Sequence, residues 1–362
     1  MKYFLITGGA GFIGSNFIHF LIKNRPEIHI TNLDALTYAG NLENLDGIQE
    51  NPRYSFSQSN ICDKNLLVNL FNKNQFDGVI HFAAESHVDR SIENPLAFIQ
   101  TNVVGTANLL GVCLDSWQKM EGQKKKAFRF LHISTDEVFG SLGQDDKPFS
   151  ESTPYSPNSP YAASKAASDH LVHAYFQTYN FPALVTNCSN NYGPYQFPEK
   201  LIPLIILNAI EGKLLPVYGD GRQVRDWLYV TDHCAALLEV FEKGKPGQTY
   251  NIGGNNQPTN LHVVQKICSI LDELHPDSRF RPHAHLINFV KDRPGHDQRY
   301  AMDIEKISRE IGWQPRVTFE EGLRTTIQWY LANQKWVRSV LEKPGYSEWI
   351  KTNYQKREEA PL

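Results

Sequence analysis

Short apolar runs alternate with longer amphipathic stretches through the first half of the chain, the sequence form of a parallel α/β sheet. Tyr3–Thr7 reads as a first strand. Phe12–Asn24 follows with apolar residues at 13, 17, 18, 21 and 22, the spacing of one helix face. His29–Leu33 and Tyr54–Gln58 predict two further strands, and Asn65–Asn74 a helix. Gly78–Ala83 and Phe128–Ser134 are largely apolar runs, as expected of strands covered on both faces. A long helix is expected from Pro95 to about Trp117. Ser159 as cap, with Pro160 in the first helical position, predicts another to about Tyr179. Ala183–Cys188 would be the last clear strand of this sheet. Beyond Asn190 the texture changes: Gly193-Pro194, Pro198, Pro203, Pro216, Gly219 and Gly221 break the chain into shorter elements, which predicts a second lobe. Asp232–Lys243 still reads as a full helix able to return to the first sheet, so the lobes are expected to interleave. Lys124-Lys125-Lys126 is expected in a solvated loop, and no repeat or low-complexity tract is visible.

Composition narrows the class. A chain of 362 residues allows roughly two domains. Its 41% hydrophobic content supports a large core and excludes a mainly disordered chain. The charge sum of 36 − 39 = −3 gives no argument for nucleic acid or an anionic membrane. The longest strongly apolar stretch, Leu201–Leu207, is far short of the ~20 residues that span a bilayer. The first apolar run ends at Gly8-Gly9, too early for a signal-peptide core. Five scattered cysteines without a C-x-x-C suggest neither a disulfide framework nor a zinc site, and no metal is expected. A cytoplasmic enzyme is the expectation.

Gly9-x-Gly11-x-x-Gly14 sits directly after the first strand and opens a helix. The glycines serve a tight turn, backbone approach to a pyrophosphate and close helix–sheet packing, and the helix N-terminus offers free N–H groups to phosphates. Asp34 follows the last glycine by 20 residues (34 − 14), at the end of the second strand. A carboxylate there bonds a ribose 2′-hydroxyl and repels a 2′-phosphate, which favours NAD over NADP. A glycine turn needed only for packing is the competing explanation, and the correctly placed acid argues against it.

Tyr161 and Lys165 lie one helical turn apart on one face. A neighbouring ammonium favours the phenolate and lets tyrosine act as a base near neutrality. Such a Tyr-x-x-x-Lys pattern would arise about once by chance in this composition, so its weight comes from opening a capped helix after the fifth buried strand. Ser134-Thr135-Asp136-Glu137 ends that strand, where open α/β sheets face the ligand crevice. A solvated loop is the bland alternative. A hydroxyl to align a substrate oxygen, one carboxylate to take a proton and a protonated carboxyl to give one is the chemical reading.

With these residues in view, the chain resembles the dTDP-sugar 4,6-dehydratases of the extended short-chain dehydrogenase/reductase family. The resemblance runs over nearly the whole length, through TGGAGFIGSNF, DALTYAGN, HFAAESHVDRSI, HISTDEVFG, SPYAASKAASDHLV, TNCSNNYGPYQFPEKLIP, RDWLYVTDH, YNIGG and DRPGHD. The glycine and Tyr-x-x-x-Lys motifs are superfamily-wide, whereas Thr-Asp-Glu and the Asn-Tyr-Gly-Pro and Arg-Pro-Gly-His segments are far narrower. It implies a Rossmann-type doubly wound parallel sheet with a smaller, interleaved C-terminal lobe. The implied division is an NAD-binding domain over 1–189, with a return segment near 226–253, and a nucleotide-sugar lobe over 190–362.

The implied reaction converts dTDP-glucose to a 4-keto-6-deoxy sugar by C4 oxidation, loss of water across C5 and C6, and hydride return to C6. Tyr161 would take the C4 hydroxyl proton, Thr135 position that hydroxyl, Lys165 tune the phenolate, Glu137 remove the C5 proton and Asp136 protonate the C6 hydroxyl. The implied cofactor positions are Gly8, Gly11, Phe12, Ile13, Gly14, Asp34, Thr37, Asn60, Ile61, Ala83, Ala84 and Thr101, with Tyr161 and Lys165. Those for the nucleotide-sugar are Ser86, Thr135, Asn190, Lys200, Leu201, Pro216, Tyr218, Arg225, Asn260, Asp292, Arg293, His296 and Tyr346. Arg225 and Arg293 suit a diphosphate. Lys200 and His296 could equally be structural. Two residues depart from the family: Asn60 stands where an acid near the adenine is usual, and Phe139 replaces the usual Tyr. A homodimer formed through the helices at Pro95–Trp117 and Tyr161–Tyr179 is also implied.

Sibling enzymes on the same scaffold remain alternatives. An epimerase needs no acid pair beside the nicotinamide, and decarboxylases generally carry Ser-Glu in place of Asp136-Glu137. UDP-glucose rather than dTDP-glucose is not separated by physics. A non-catalytic NAD(H)-binding regulatory protein is the alternative from another class.

Overall fold

The computed structural model describes residues 1–292 and 295–343. Eleven strands run through the described residues: β1 Lys2–Thr7, β2 Ile28–Asp34, β3 Tyr54–Gln58, β4 Gly78–His81, β5 Arg129–Thr135, β6 Ala183–Cys188, β7 Asn190–Tyr192, β8 Leu215–Tyr218, β9 Trp227–Tyr229, β10 Thr249–Ile252 and β11 Ile287–Val290. Seven of them form one sheet in the order β10-β6-β5-β4-β1-β2-β3, and each pairing is parallel. The order reverses between β1 and β4, which opens a crevice at their carboxyl ends. Register sets the rim: Thr7 pairs with Leu33 and His81, and His81 with His132. β5 and β6 run three residues beyond that row, to the paired Thr135 and Cys188.

Alternation sends neighbouring residues to opposite faces, as a period of two requires. Phe4 and Ile6 pack with Ile80 and Leu131 under the helices Phe12–Asn24 and Val230–Lys243. Leu5, Val79 and Phe130 join the other core with Leu67, Leu109 and Cys113. Both faces are therefore dry, and the ligand has access only at the rim.

Two expectations are corrected. Ala183–Cys188 is not the last strand of the sheet: Thr249–Ile252 pairs beyond it, in register from Thr249 opposite Val185. Lys124-Lys125-Lys126 lies in a short helix, Gly122–Ala127, rather than a loop. Pro95–Gln118 is a continuous helical run, widened to π geometry over Ile99–Gly105, and among the described residues it is long and apolar enough to cross a membrane. Here it packs against the sheet-covering helices Lys64–Lys73 and Pro160–Tyr179. Gly105 lets it approach, since a Cβ there would come within 2.7 Å of the Ile61 side chain. The Pro160–Tyr179 helix begins where its cap dictates: Ser159 Oγ accepts the amide of Ala162 at 3.1 Å.

A second core lies beyond the carboxyl ends of the strands. Ile202, Ile205, Val263, Ile267, Leu323 and Trp336 pack together from the helices Leu201–Glu211, Asn260–Leu274, Phe319–Ala332 and Gln334–Leu341. Trp336 donates its indole N–H to Asn44 Oδ1 at 2.8 Å, which ties this core to the loop after β2. The rim is thereby roofed on one side.

Candidate active site

The loop after β1 is shaped by contacts that leave no room for a Cβ. Gly8 has φ +73°, and a Cβ on it would meet Ala83 N at 2.6 Å. One on Gly14 would meet Gly8 O at 2.3 Å. The helix that follows has Gly11 as its cap, with no side chain bonded to its first-turn amides. Asp34 is buried at the end of β2. Its carboxylate accepts the Ala10 amide at 2.9 Å and the Leu36 amide at 2.8 Å, which fixes it beside the glycine loop. Burial pushes its pKa up, opposed by these two amides. A backbone cradle with amides to spare and a pinned carboxylate one strand away fit an NAD pyrophosphate and ribose.

One cavity runs from this cradle to the carboxyl end of β5. Gly8, Gly11, Phe12, Ile13 and Gly14 line it, as do Asp34, Thr37, Asn60 and Ile61, then Ala83, Ala84 and Thr101, and finally Tyr161 and Lys165. Asn60 Oδ1 accepts the Cys62 amide at 2.9 Å, which fixes the side chain against its own turn. Phe139 is buried against Phe149 and Tyr155, with ring centroids 5.1 and 5.2 Å away, in a small core of its own.

Thr135 closes β5, and Asp136–Phe139 form a single 3₁₀ turn after it. The Thr135 hydroxyl accepts the Glu137 amide at 3.3 Å and donates to Asp136 Oδ1 at 3.2 Å. It also opposes the upward shift of the Tyr161 phenol. Asp136 is buried, and desolvation with the nearby carboxylates of Glu137 and Asp226 holds its pKa well above the ordinary range. That environment keeps a carboxyl protonated and able to donate. Burial and the Glu137 charge likewise raise the Tyr161 phenol. The Lys165 ammonium donates to Ile133 O at 2.8 Å beside His132 Nε2 at 3.3 Å. Burial lowers Lys165 to about 8, and Asp169 opposes that shift. The cation is thus held by the strand.

A second cavity adjoins the first and shares Glu137, Asn190 and Lys200 with it. Leu201, Pro216, Tyr218, Arg225, Asn260 and His296 line it, while Ser86 and Thr135 face the first. Arg225 is buried, donates to Val224 O and Asp297 O, and lies 4.3 Å over the Tyr300 ring. Asp292 does not line either cavity. It stands behind His296, with Oδ1 2.6 Å from His296 Nδ1 and Oδ2 accepting from Gln223 at 2.7 Å. Arg293 and Tyr346 lie outside the described residues.

Sequence reasoning missed Asp169 and Glu199. Asp169 is fully buried and takes Ser134 Oγ at 2.7 Å and the Tyr155 hydroxyl at 3.0 Å. Its signal was present, because 161, 165 and 169 share one helix face. Glu199 is buried at the junction of the cavities with Arg90 Nε at 3.1 Å, and nothing in its spacing announces that.

A dinucleotide cradle on a doubly wound sheet, with Tyr161, Lys165 and an acid pair at its far end, defines an extended short-chain dehydrogenase/reductase. Residues 5–326 match the family model described as GDP-mannose 4,6 dehydratase. The dTDP-glucose 4,6-dehydratase of Shigella flexneri is 54% identical over 98% of this chain and 99% of its own. That of Neisseria meningitidis serogroup B is 57% identical over 94% of this chain and 96% of its own. The crystal structure of the Bacillus anthracis dTDP-glucose 4,6-dehydratase in complex with NAD superposes with a TM-score of 0.82, at 46% identity, covering 94% of this chain and 100% of that one. The chain belongs to this family of nucleotide-sugar 4,6-dehydratases.

Proposed function

We propose that the protein dehydrates dTDP-glucose to dTDP-4-keto-6-deoxyglucose, with NAD as its resident cofactor. The observation that carries this reading is the meeting of Thr135, Asp136, Glu137 and Tyr161 where the dinucleotide cradle joins the second cavity. When bound, NAD supplies the hydride acceptor at C4, the hydride donor at C6 and a positive charge that favours the Tyr161 phenolate. The chain's own residues move the protons. Tyr161 takes the C4 hydroxyl proton while Thr135 holds that oxygen. A C5–H beside a hydroxyl is too weak an acid for a carboxylate, but beside a C4 ketone it is not, so oxidation has to come first. Glu137 then takes the C5 proton, and Asp136 delivers its own to the C6 hydroxyl, which leaves as water. Glu137 returns a proton to C5.

Arg225 supplies a planar donor suited to the diphosphate, and Tyr218, Asn260 and His296 surround the rest of the nucleotide. Asp292 acts by orienting His296. The pair of acids separates this reading from an epimerase, which has no use for them. The exposed apolar residues Ile92, Leu96, Ile99 and Val104, gathered on one segment beside the Pro160–Tyr179 helix, support a homodimer through that face. The reaction suits a cytoplasmic enzyme. Incubation with dTDP-glucose and, separately, UDP-glucose tests the assignment: alkali-induced absorbance of a 4-keto-6-deoxy product is expected with dTDP-glucose in preference. No product from either would refute it.

A further inference from the structure

The loop after β2 carries one wall of the cofactor cavity, through Ala35, Thr37, Ala39 and Gly40. It lies outside the sheet, so its shape is imposed by its neighbours. Its backbone is strained at Leu36, where φ is +53°, a left-handed conformation that a bulky side chain rarely adopts. Such a residue persists only where its surroundings hold it. Part of the restraint comes from the first lobe: Asp34 Oδ1 accepts the Leu36 amide, and Leu45 and Ile48 sit in the core beneath. The rest comes from the second.

The helix Gln334–Leu341 and the lysine just beyond it reach the loop at three points. Trp336 donates its indole N–H to Asn44 Oδ1 at 2.8 Å, Ser339 donates its hydroxyl to the Glu43 carboxylate, and Lys343 Nζ donates to Gly40 O at 2.7 Å. Asn44 passes the hold onward. Its Nδ2 donates to Ala10 O at 2.9 Å, and the Ala10 amide donates to Asp34 Oδ2 at 2.9 Å. The orientation of the Asn44 amide is dictated by its partners, since its oxygen faces an N–H and its nitrogen a carbonyl. A line of three hydrogen bonds thus runs from the second core, through the glycine loop, to the carboxylate of Asp34. Asn44 and Trp336 are both buried, so water does not stand in for the bond between them.

Resting on the NAD reading above, we propose that Trp336, acting through Asn44, is a positioning residue for the cofactor. The helix Gln334–Leu341 straps the loop after β2 onto the glycine loop, and the dinucleotide leaves only when that strap lets go. The reaction suits such a device. It returns its hydride to the sugar, so the cofactor ends each cycle as it began and slow release does not limit turnover. Neither Trp336 nor Asn44 lines either cavity, so the strap can be loosened without touching the reacting groups.

Chasing protein loaded with isotopically labelled NAD with excess unlabelled NAD, and following retained label by gel filtration, tests the strap. Trp336→Phe keeps a ring in place but leaves Asn44 Oδ1 without its donor. It is expected to release label at least ~10-fold faster than the parent, the effect of one unsatisfied buried acceptor. Lys343→Met and Ser339→Ala, which remove the outer bonds, are expected to release it about two- to fivefold faster. After gel filtration the parent works without added NAD, whereas Trp336→Phe requires it and regains the parental rate when NAD is saturating. Val264→Ala hollows the same second core without removing a strap bond, and is expected to retain NAD as the parent does. Release unchanged in all three strap variants, or Val264→Ala releasing as fast as Trp336→Phe, would overturn the strap while leaving the NAD reading intact. Should Trp336→Phe not fold, the two outer variants decide in the same way. A parent that binds no NAD contradicts the cofactor reading itself, and the strap with it.

Discussion

The Lys165 ammonium donates to the carbonyl oxygen of Ile133 at 2.8 Å, so the cation of the Tyr161–Lys165 pair is anchored to β5 and not to the phenol. Its charge survives burial because Asp169, one turn further along the same helix, lies close by, while His132 and Cys188 complete its surroundings. Asp169→Asn removes the neighbour that raises the Lys165 pKa. The alkaline limb of the kcat–pH profile that follows Lys165 is then expected to move to lower pH. Steady-state profiles of the two proteins check this, and coincident limbs would refute the role of Asp169.

Asp34 is fixed by two loop amides and faces the cradle. Asn in its place keeps one acceptor, presents an N–H to the other amide, and no longer repels a 2′-phosphate. Asp34→Asn is expected to weaken NAD binding by about tenfold, or ~1.4 kcal/mol, while narrowing the preference over NADP. Calorimetric titration with both dinucleotides measures each effect. Unchanged discrimination would remove Asp34 from cofactor choice.

His233 is wholly buried, 2.8 Å from Asn191 Oδ1, and burial lowers its pKa from 6.5 to about 3. Between those values the unfolded chain binds the extra proton, so the stability this group leaves intact above pH 6.5 is lost as pH falls towards 3. The loss is about 1.4 kcal/mol per pH unit across that window. Asp226, raised from 3.8 to about 6, works in the opposite sense, contributing at low pH and fading as pH rises to 6. His233→Gln keeps a donor for Asn191 and leaves Asp226 untouched. Urea denaturation across pH should show the variant's stability falling less steeply below pH 6.5, by that slope. Parallel curves would place the acid sensitivity elsewhere.

Local grammar made much of the fold legible. Ser159-Pro160 announces its helix because cap and first-turn chemistry are set by adjacent residues, and Tyr54–Gln58 and Ala183–Cys188 begin and end where their pattern does. Thr249–Ile252 was missed as a sheet strand because four residues carry little pattern and the partner, β6, lies some sixty positions earlier. The π-widening at Ile99–Gly105 has no local signature either. At the site, the described residues named from sequence gather on two joined cavities, apart from Asp292. The direction of the Lys165 side chain and the burial of Asp136 were not legible. Both depend on what surrounds a side chain in space, which residue order does not encode.

The central claim is that a transient C4 ketone lets Glu137 exchange the hydrogen at C5. Conversion of dTDP-glucose in deuterium oxide, read by proton NMR of the released sugar, tests it most directly. The account predicts a 4-keto-6-deoxy product carrying deuterium at C5, and dehydration slowed by about 10²–10⁴ in Glu137→Gln. A product that keeps protium at C5, or full dehydration by Glu137→Gln, would contradict it.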